Sequence, residues 1–314
     1  MAIYKGNKKV VAVYKGSTPI NKIYKGGTLV FQKSGGGGST HLIEGTATGN
    51  FNLKINNGNS IPITPDADGK WFYDTDEKIT SLCKLFDSSM SSSAVTSVDL
   101  SNLDLTGITT KEMFYAASNI TSIKFNNTKS MKLVNVTTMF FGCESLTSID
   151  LSSFDISDIS SFENLFYGCK SLVSLDLSPF NTSKPKFIDN LFHGCSSLVS
   201  LDFSNLNTSN VASANSLFYG CSSLVSLDLS SFNTSNTKYL GSLFSGCSSL
   251  VSLDLSNFYV SEYGNYTDMF KDCTSLSTIK CKQAFKDWCI TNQDKIALPT
   301  TMREGGSGTW EIVE

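Results

Sequence analysis

Apolar positions recur along most of this chain with a period of 26 residues. Phe140, Phe166, Phe192, Phe218, Phe244 and Phe270 are spaced 26 apart. Cys143, Cys169, Cys195, Cys221, Cys247 and Cys273 follow each of them by three positions, and Leu146, Leu172, Leu198, Leu224, Leu250 and Leu276 by six. Phe114 with Ala117 continues the phase backward, and Phe86 lies 28 residues earlier still, so eight copies run from about Leu85 to Cys281. Within a copy, SLVSLDLS (Ser171 to Ser178, and again Ser223 to Ser230 and Ser249 to Ser256) has L-x-x-L-x-L spacing, and its later half alternates apolar and polar. That alternation predicts a short strand with one buried face. The other half places Val211, Ala214, Leu217 and Phe218 at i, i+3, i+6 and i+7, which predicts a helix of one or two turns. Phe180-Asn181-Thr182-Ser183 and Phe232-Asn233-Thr234-Ser235 read as a buried aromatic followed by turn and N-cap chemistry. The glycine before each cysteine from Gly142 to Gly246 suits a left-handed residue at a helix end. One copy cannot bury its own Leu, Phe and Cys, so the copies must stack. The expected fold is a right-handed leucine-rich repeat solenoid, a parallel β-strand ladder with short helices on the opposite side. At about 4.8 Å per strand its height would be roughly 35–40 Å.

The two ends follow other rhythms. In residues 1–33, Tyr-Lys-Gly recurs at Tyr4, Tyr14 and Tyr24 with apolar residues before each, predicting a small β-meander. About thirty residues make a poor core alone, so this module is expected to dock on another chain or to self-associate. Residues 34–40 (SGGGGST) read as a flexible linker, natural or introduced. Residues 41–84 predict strands at Asn50 to Ile55, Ser60 to Thr64 and Lys70 to Tyr73, a β cap over the open end of the solenoid at 85–281. Asp66-Ala67-Asp68-Gly69 lacks the later acidic positions of a calcium loop and reads as a hairpin turn. Phe285, Trp288, Ile290, Leu298 and Trp310 to Val313 predict an aromatic-rich C-terminal cap over 282–314.

Composition then narrows the function. The chain has 314 residues, 17% of them charged and 40% hydrophobic, with a formal net charge of −3. No Lys/Arg run supplies the electrostatic footprint of a nucleic-acid binder. No apolar window is long enough for a membrane span, and the first thirty residues lack signal-peptide text. His41 and His193 are the only histidines, there is no G-x-S-x-G elbow and no phosphate-cradling glycine loop, so neither catalysis nor a cofactor is expected. His193 occupies a slot filled in other copies by Phe141, Tyr167, Tyr219 and Ser245, a position on the repeat surface. The 26-spaced thiols should form a column of reduced core cysteines whose parallel side chains suit disulfide geometry poorly. Ala117 on one rung agrees, since alanine can replace packing but not a ligand. Zinc needs ligands clustered at short spacing, and none are. Cys281 and Cys289 leave the period, and a local bridge between them stays open.

The strands carry the informative polar residues. Rows such as Ser174-Asp176-Ser178 and Ser226-Asp228-Ser230 should face outward, stacking Asp150, Asp176, Asp202, Asp228 and Asp254 in one column. Asp99 holds that column in the first copy, and Lys124 and Lys280 hold it in the second and eighth. Like charges on adjacent strands repel, so water, serine hydroxyls, cations or a basic partner must offset them. Two readings stand: a solvated Ser–Asp hydrogen-bond ladder, or an acidic docking strip for a cationic ligand. A selective ligand would instead read variable positions such as Lys184-Pro185-Lys186, Tyr239 or Tyr259 to Tyr266. A glycan-cleaving enzyme would need two carboxylates paired in a cleft rather than an open column.

The pattern N-x-LF-x-GC-x-SL-x-SLDLS-x-FNTS, over residues 85–281, resembles the BspA-like leucine-rich repeats of Bacteroidetes surface proteins. The N-terminal Tyr-Lys-Gly module is similar to short modules on virion proteins of gut bacteriophages. These resemblances imply a non-catalytic adhesion or receptor-binding protein that recognises a protein or glycan. They favour a phage or prophage virion appendage of a gut bacterium, made in the cytoplasm. The alternatives are a bacterial cell-surface adhesin and an intracellular structural scaffold.

Overall fold

The computed structural model describes the strand backbone at 13–15, 18–20, 22–25 and 28–32, and residues 43–56, 58, 60–74, 78–86, 94–182, 185–203 and 206–313. Tyr4, the linker at 34–40, His41 and Lys184 lie outside the described residues. Near the N-terminus β1 (Val13–Lys15) pairs antiparallel with β2 (Thr18–Ile20), and β3 (Lys22–Lys25) with β4 (Thr28–Gln32). Among the described residues of the expected meander these pairings form two hairpins.

The cap begins with β5 (Ile43–Ala47), which the sequence reading missed. It is antiparallel both to β8 (Lys70–Tyr73) and to the first solenoid strand, β9 (Val95–Leu100). A Cβ at Gly45 would lie 1.9 Å from the Ser97 carbonyl oxygen, so only glycine lets β5 approach β9 this closely. Between β5 and β8, β6 (Phe51–Leu53) and β7 (Ile61–Ile63) form a hairpin of their own. Asp66 to Gly69 is a turn: the Asp66 carboxylate accepts the N–H groups of Asp68 and Lys70, both at 2.9 Å.

From β9 onward the chain is a parallel solenoid of about seven turns. β10 (Ser122–Phe125) runs parallel to β9, and the short β11 (Met131–Lys132) parallel to β12 (Phe154–Asp155). Farther along, β13 (Ser226–Asp228), β14 (Ser252–Asp254) and β15 (Thr278–Lys282) are consecutive in one sheet. After β15 comes helix α1 (Gln283–Thr291), and β16 (Thr309–Val313) then adds a last parallel strand beyond β15. In the middle coils the ladder thins to single bonds such as Val199 N–H to the Val173 carbonyl, 3.2 Å.

The segment expected to be helical is not. Each Phe–Cys stretch is a run of overlapping β-turns, as in Leu191 N–H to Ile188 O, His193 to Asn190, Cys195 to Phe192 and Leu198 to Cys195. Alternate N–H groups point along the solenoid axis instead: Ile188, Asn190, Phe192 and Gly194 donate to the carbonyls of Ser213, Asn215, Leu217 and Tyr219 in the next coil, at 2.7–3.0 Å. Two left-handed residues per coil make this possible. One is the glycine column, Gly142 to Gly246, at φ between 70° and 78°. The other is a polar slot four residues earlier, Thr138, Asn164, Asn190, Ser216 and Ser242, at φ between 52° and 55°. A helix would turn those N–H groups inward on itself and leave each coil unbonded to its neighbour. The expected N-caps are likewise absent: Asn233 Oδ1 accepts the Ser235 N–H in a local turn, and buried Thr234 joins the next coil by donating to the Tyr259 carbonyl (2.8 Å) and accepting its N–H (2.6 Å).

Inside, the repeating side chains form columns. Phe114, Phe140, Phe166, Phe192, Phe218, Phe244 and Phe270 stack with ring centroids 5.4–6.0 Å apart and planes within 15°. The leucines from Leu146 to Leu276 are fully buried. All nine cysteines are free, Cys281 and Cys289 included. The six column thiols have a specific partner. Each donates its S–H to the carbonyl of the column phenylalanine one coil back, from Cys143 Sγ to Phe114 O (3.3 Å) through Cys195 to Phe166 (3.2 Å) to Cys273 to Phe244 (3.0 Å). Burial pushes the Cys195 and Cys273 thiols up to about 12, so they remain protonated donors.

Two outcomes are expected. Because the folded thiols hold their protons above the ordinary value of 9.0, their stabilisation is complete below that pH and is lost as pH rises toward about 12. Urea midpoints should fall between pH 9 and 11, and less steeply for Cys195→Ala, which at neutral pH costs about 1–2 kcal/mol. Gly194→Ala should cost about 1–2 kcal/mol in urea unfolding, because φ is +72° there, while the added Cβ meets Gly168 at an ordinary 3.6 Å.

Candidate functional site: the outer face of the strands

Each coil turns Leu172, Leu175 and Leu177 or their counterparts inward and leaves Val173, Ser174 and Asp176 outward. The register then builds rows. Asp228 lies beside Asp202 and Asp254, Asp254 beside Lys280, and Lys280 beside Glu311. At the other end Asp99 is flanked by Lys124 and Glu44. With strands about 4.8 Å apart, Asp150, Asp176, Asp202, Asp228 and Asp254 fall into one exposed acidic row between two lysines.

The carboxylates also serve the backbone. Oδ1 of Asp99, Asp150, Asp176, Asp228 and Asp254 accepts the N–H two residues later, at Ser101, Ser152, Ser178, Ser230 and Ser256, over 2.8–3.1 Å. The Ser178 hydroxyl donates to Asp176 (3.0 Å), and the Ser256 hydroxyl to Asp254. Lys124 Nζ lies 3.1 Å from Asp99, and Lys280 Nζ 2.7 Å from Asp254. The hydroxyl and N–H of Ser152 hold Asp150 below the usual carboxylate range. At Asp254 burial works to raise the carboxyl, but Lys280 and Ser256 outweigh it and the net direction is down. Both readings of the column therefore have a physical basis: the hydrogen-bond ladder exists, and Asp150, Asp176, Asp202 and Asp228 are exposed.

Sequence reasoning missed two neighbouring features. Val173, Val199, Val225 and Val251 form an apolar row on the same face, separated from the acidic one by the serine row of Ser174 and its counterparts, each valine between 43% and 48% exposed. Their 26-residue phase was a readable signal. On the turn side, Tyr115, Phe141, Tyr167, His193 and Tyr219 stack at centroid distances of 4.2–4.7 Å with planes within 13°. His193 is thus one ring of an aromatic strip, and burial holds its pKa below the ordinary imidazole value. Of the variable positions, Lys186 and Tyr239 are exposed, whereas Pro185 and Tyr266 are buried. Open grooves lie at the two ends, one of about 510 Å³ beside α1 and one of about 530 Å³ between β5 and β8. Among the described residues no cluster of three or more His, Cys, Asp or Glu side chains is placed to hold a metal, and no helix is long and apolar enough to cross a membrane.

A family model described as "Mycoplasma protein of unknown function, DUF285" matches residues 80–201 and again 187–297, which together span the repeats. The chain belongs to this family. No curated protein matches it. Among solved structures it is similar to a leucine-rich repeat protein from Bacteroides ovatus ATCC 8483, at 17% identity over 69% of this chain and 73% of that one, with a TM-score of 0.22. At that score the solenoid assignment rests on the coils themselves.

Asp176→Asn, which keeps an acceptor for the Ser178 N–H, should leave the thermal midpoint unchanged or raise it by relieving repulsion. Asp176→Ala should lower stability by about 1 kcal/mol. Equal losses in both variants would show that the charge itself holds the coil.

Proposed function

We propose that this DUF285 chain is a non-catalytic protein-binding module whose outer strand face docks a partner surface carrying cationic groups beside apolar ones. The observation that carries this is the presence of two rows on one face: a line of half-exposed valines and, one serine row away, a line of largely exposed carboxylates. Apolar rows supply the bulk of contact energy, and the neighbouring charges set orientation and reject acidic partners.

The finer setting follows from the resemblances stated above. We propose display on a virion of a gut bacteriophage, with the N-terminal Tyr-Lys-Gly segment attaching the solenoid to another chain. A cell-surface adhesin is the second reading. The two are separated by where the chain is found in its native host: purified particles carrying it support the first, and recovery only in outer-membrane fractions removes it.

For the binding face, fluorescently labelled chain is titrated onto candidate host cells at two salt concentrations. Asp176→Asn/Asp202→Asn/Asp228→Asn should reduce cell binding at least tenfold and flatten its salt dependence, with an unchanged thermal midpoint. Val199→Ser/Val225→Ser should weaken binding at both salts. Binding that survives both sets of substitutions would overturn the assignment of this face.

A further inference from the structure

The solenoid's C-terminal end holds a second site, distinct in position and chemistry from the strand face. The open groove of about 510 Å³ lies between α1, the loop at 303–308 and β16, and is lined by Lys286, Asp287, Thr291, Arg303, Glu304 and Trp310 among others. Its volume falls within the roughly 300–1,000 Å³ of small-ligand sites. We propose that this groove binds a neutral saccharide, one pyranose ring stacked on the Trp310 indole.

Three observations support that ligand class. First, Trp310 is a held platform. It continues the inward row Leu253–Ile279 at the last strand, packs against the core, and donates Nε1–H to the Met302 carbonyl at 3.2 Å. Its outer side lines the groove. An amphipathic ring fixed in this way offers an apolar face to the C–H side of a sugar without ordering cost on binding.

Second, several other aromatic rings are already covered. The faces of Phe141, Tyr167 and His193 are covered by their neighbours in the stacked strip. Lys282 Nζ sits 4.9 Å over the Tyr259 ring. Trp71, lining the groove at the opposite end, is only 3% exposed and wedged edge-on against Phe51 and Phe86.

Third, the groove's polar groups suit hydroxyls rather than a net charge. It holds two cations and two carboxylates. Arg303 is already engaged, donating to Asp294 (2.7 Å) and to the Leu298 carbonyl (2.8 Å). Asp287 accepts from Gln283 through Oδ1 (2.7 Å), which leaves Oδ2 for a ligand hydroxyl, while exposed Glu304 supplies a second acceptor. Lys286 supplies a donor on the same helix. Planar carboxylates accept from adjacent sugar hydroxyls, and water competes less at the edge of an indole.

The test uses the full chain labelled with ¹⁵N, following the indole N–H resonances of Trp71, Trp288 and Trp310 while methyl β-glucopyranoside, methyl β-galactopyranoside or N-acetylglucosamine is added to about 50 mM. Trp310→Phe assigns its own resonance and keeps an apolar ring in the core row. At least one sugar should shift the Trp310 signal saturably, with a dissociation constant of about 1–20 mM, leaving Trp71 and Trp288 in place. Asp287→Asn/Glu304→Gln should weaken that binding at least tenfold, whereas the triple Asp→Asn variant of the strand face should not change it. A Trp310 signal unmoved by all three sugars, three indoles moving together, or full affinity in the Asp287/Glu304 variant would each overturn the proposal.

Discussion

The structure depends on a backbone constraint: within each coil, alternate N–H groups must point along the solenoid axis to meet the carbonyls of the next. A left-handed residue at the polar slot and another at the glycine provide that alternation, in Asn190 and Gly194 as in their counterparts above and below. Each such residue costs conformational energy, but the coils of Phe166, Phe192, Phe218 and Phe244 each recover four inter-coil hydrogen bonds in the same stretch. The stacking of Phe and the thiol donation to the Phe carbonyl follow from this geometry, because a coil shifted by one residue would lose all of them together. The solenoid is therefore held as much on its turn side as on its strand side, where the ladder is sparse in the middle coils.

This division explains what was legible in the residues and what was not. Buried columns must repeat the same side chain at the same interval, so the Phe, Cys and Leu rows could be read directly from spacing. Helix and turn ladder could not be told apart that way. Val211, Ala214, Leu217 and Phe218 bury one side in either conformation, and the discriminating residue is a polar one, Ser216, whose left-handed φ of 52° no apolar pattern encodes. The strand β5 escaped notice because its defining residue, Gly45, has no side chain to contribute to a pattern. The acidic column was legible as a row but its role was not: hydrogen bonding of Asp176 to the Ser178 N–H is a matter of local backbone shape. The valine row was passed over because attention to buried positions does not register an apolar residue left outside.

The strand face reconciles two demands on the same carboxylates. Stacked negative charges at strand spacing repel, yet Asp150, Asp176, Asp228 and Asp254 are each tied to their own turn by an N–H, and the row is closed at both ends by lysine. Local capping offsets part of that repulsion, while Asp150, Asp176, Asp202 and Asp228 stay exposed for contact. The aromatic strip does the opposite with its surface: its rings satisfy one another and present edges, so exposure there carries less binding capacity than its area suggests.

The lysine-terminated row also has an evolutionary corollary. Adjacent coils such as those containing Asp202 and Asp228 are nearly interchangeable in sequence, so duplication or deletion of a whole 26-residue unit is the change the architecture tolerates most readily. Such an event lengthens or shortens the acidic row by one carboxylate and about 4.8 Å while both end caps stay intact. Contact length in this lineage would thus vary in discrete steps, by unequal recombination between near-identical gene segments, rather than by gradual substitution.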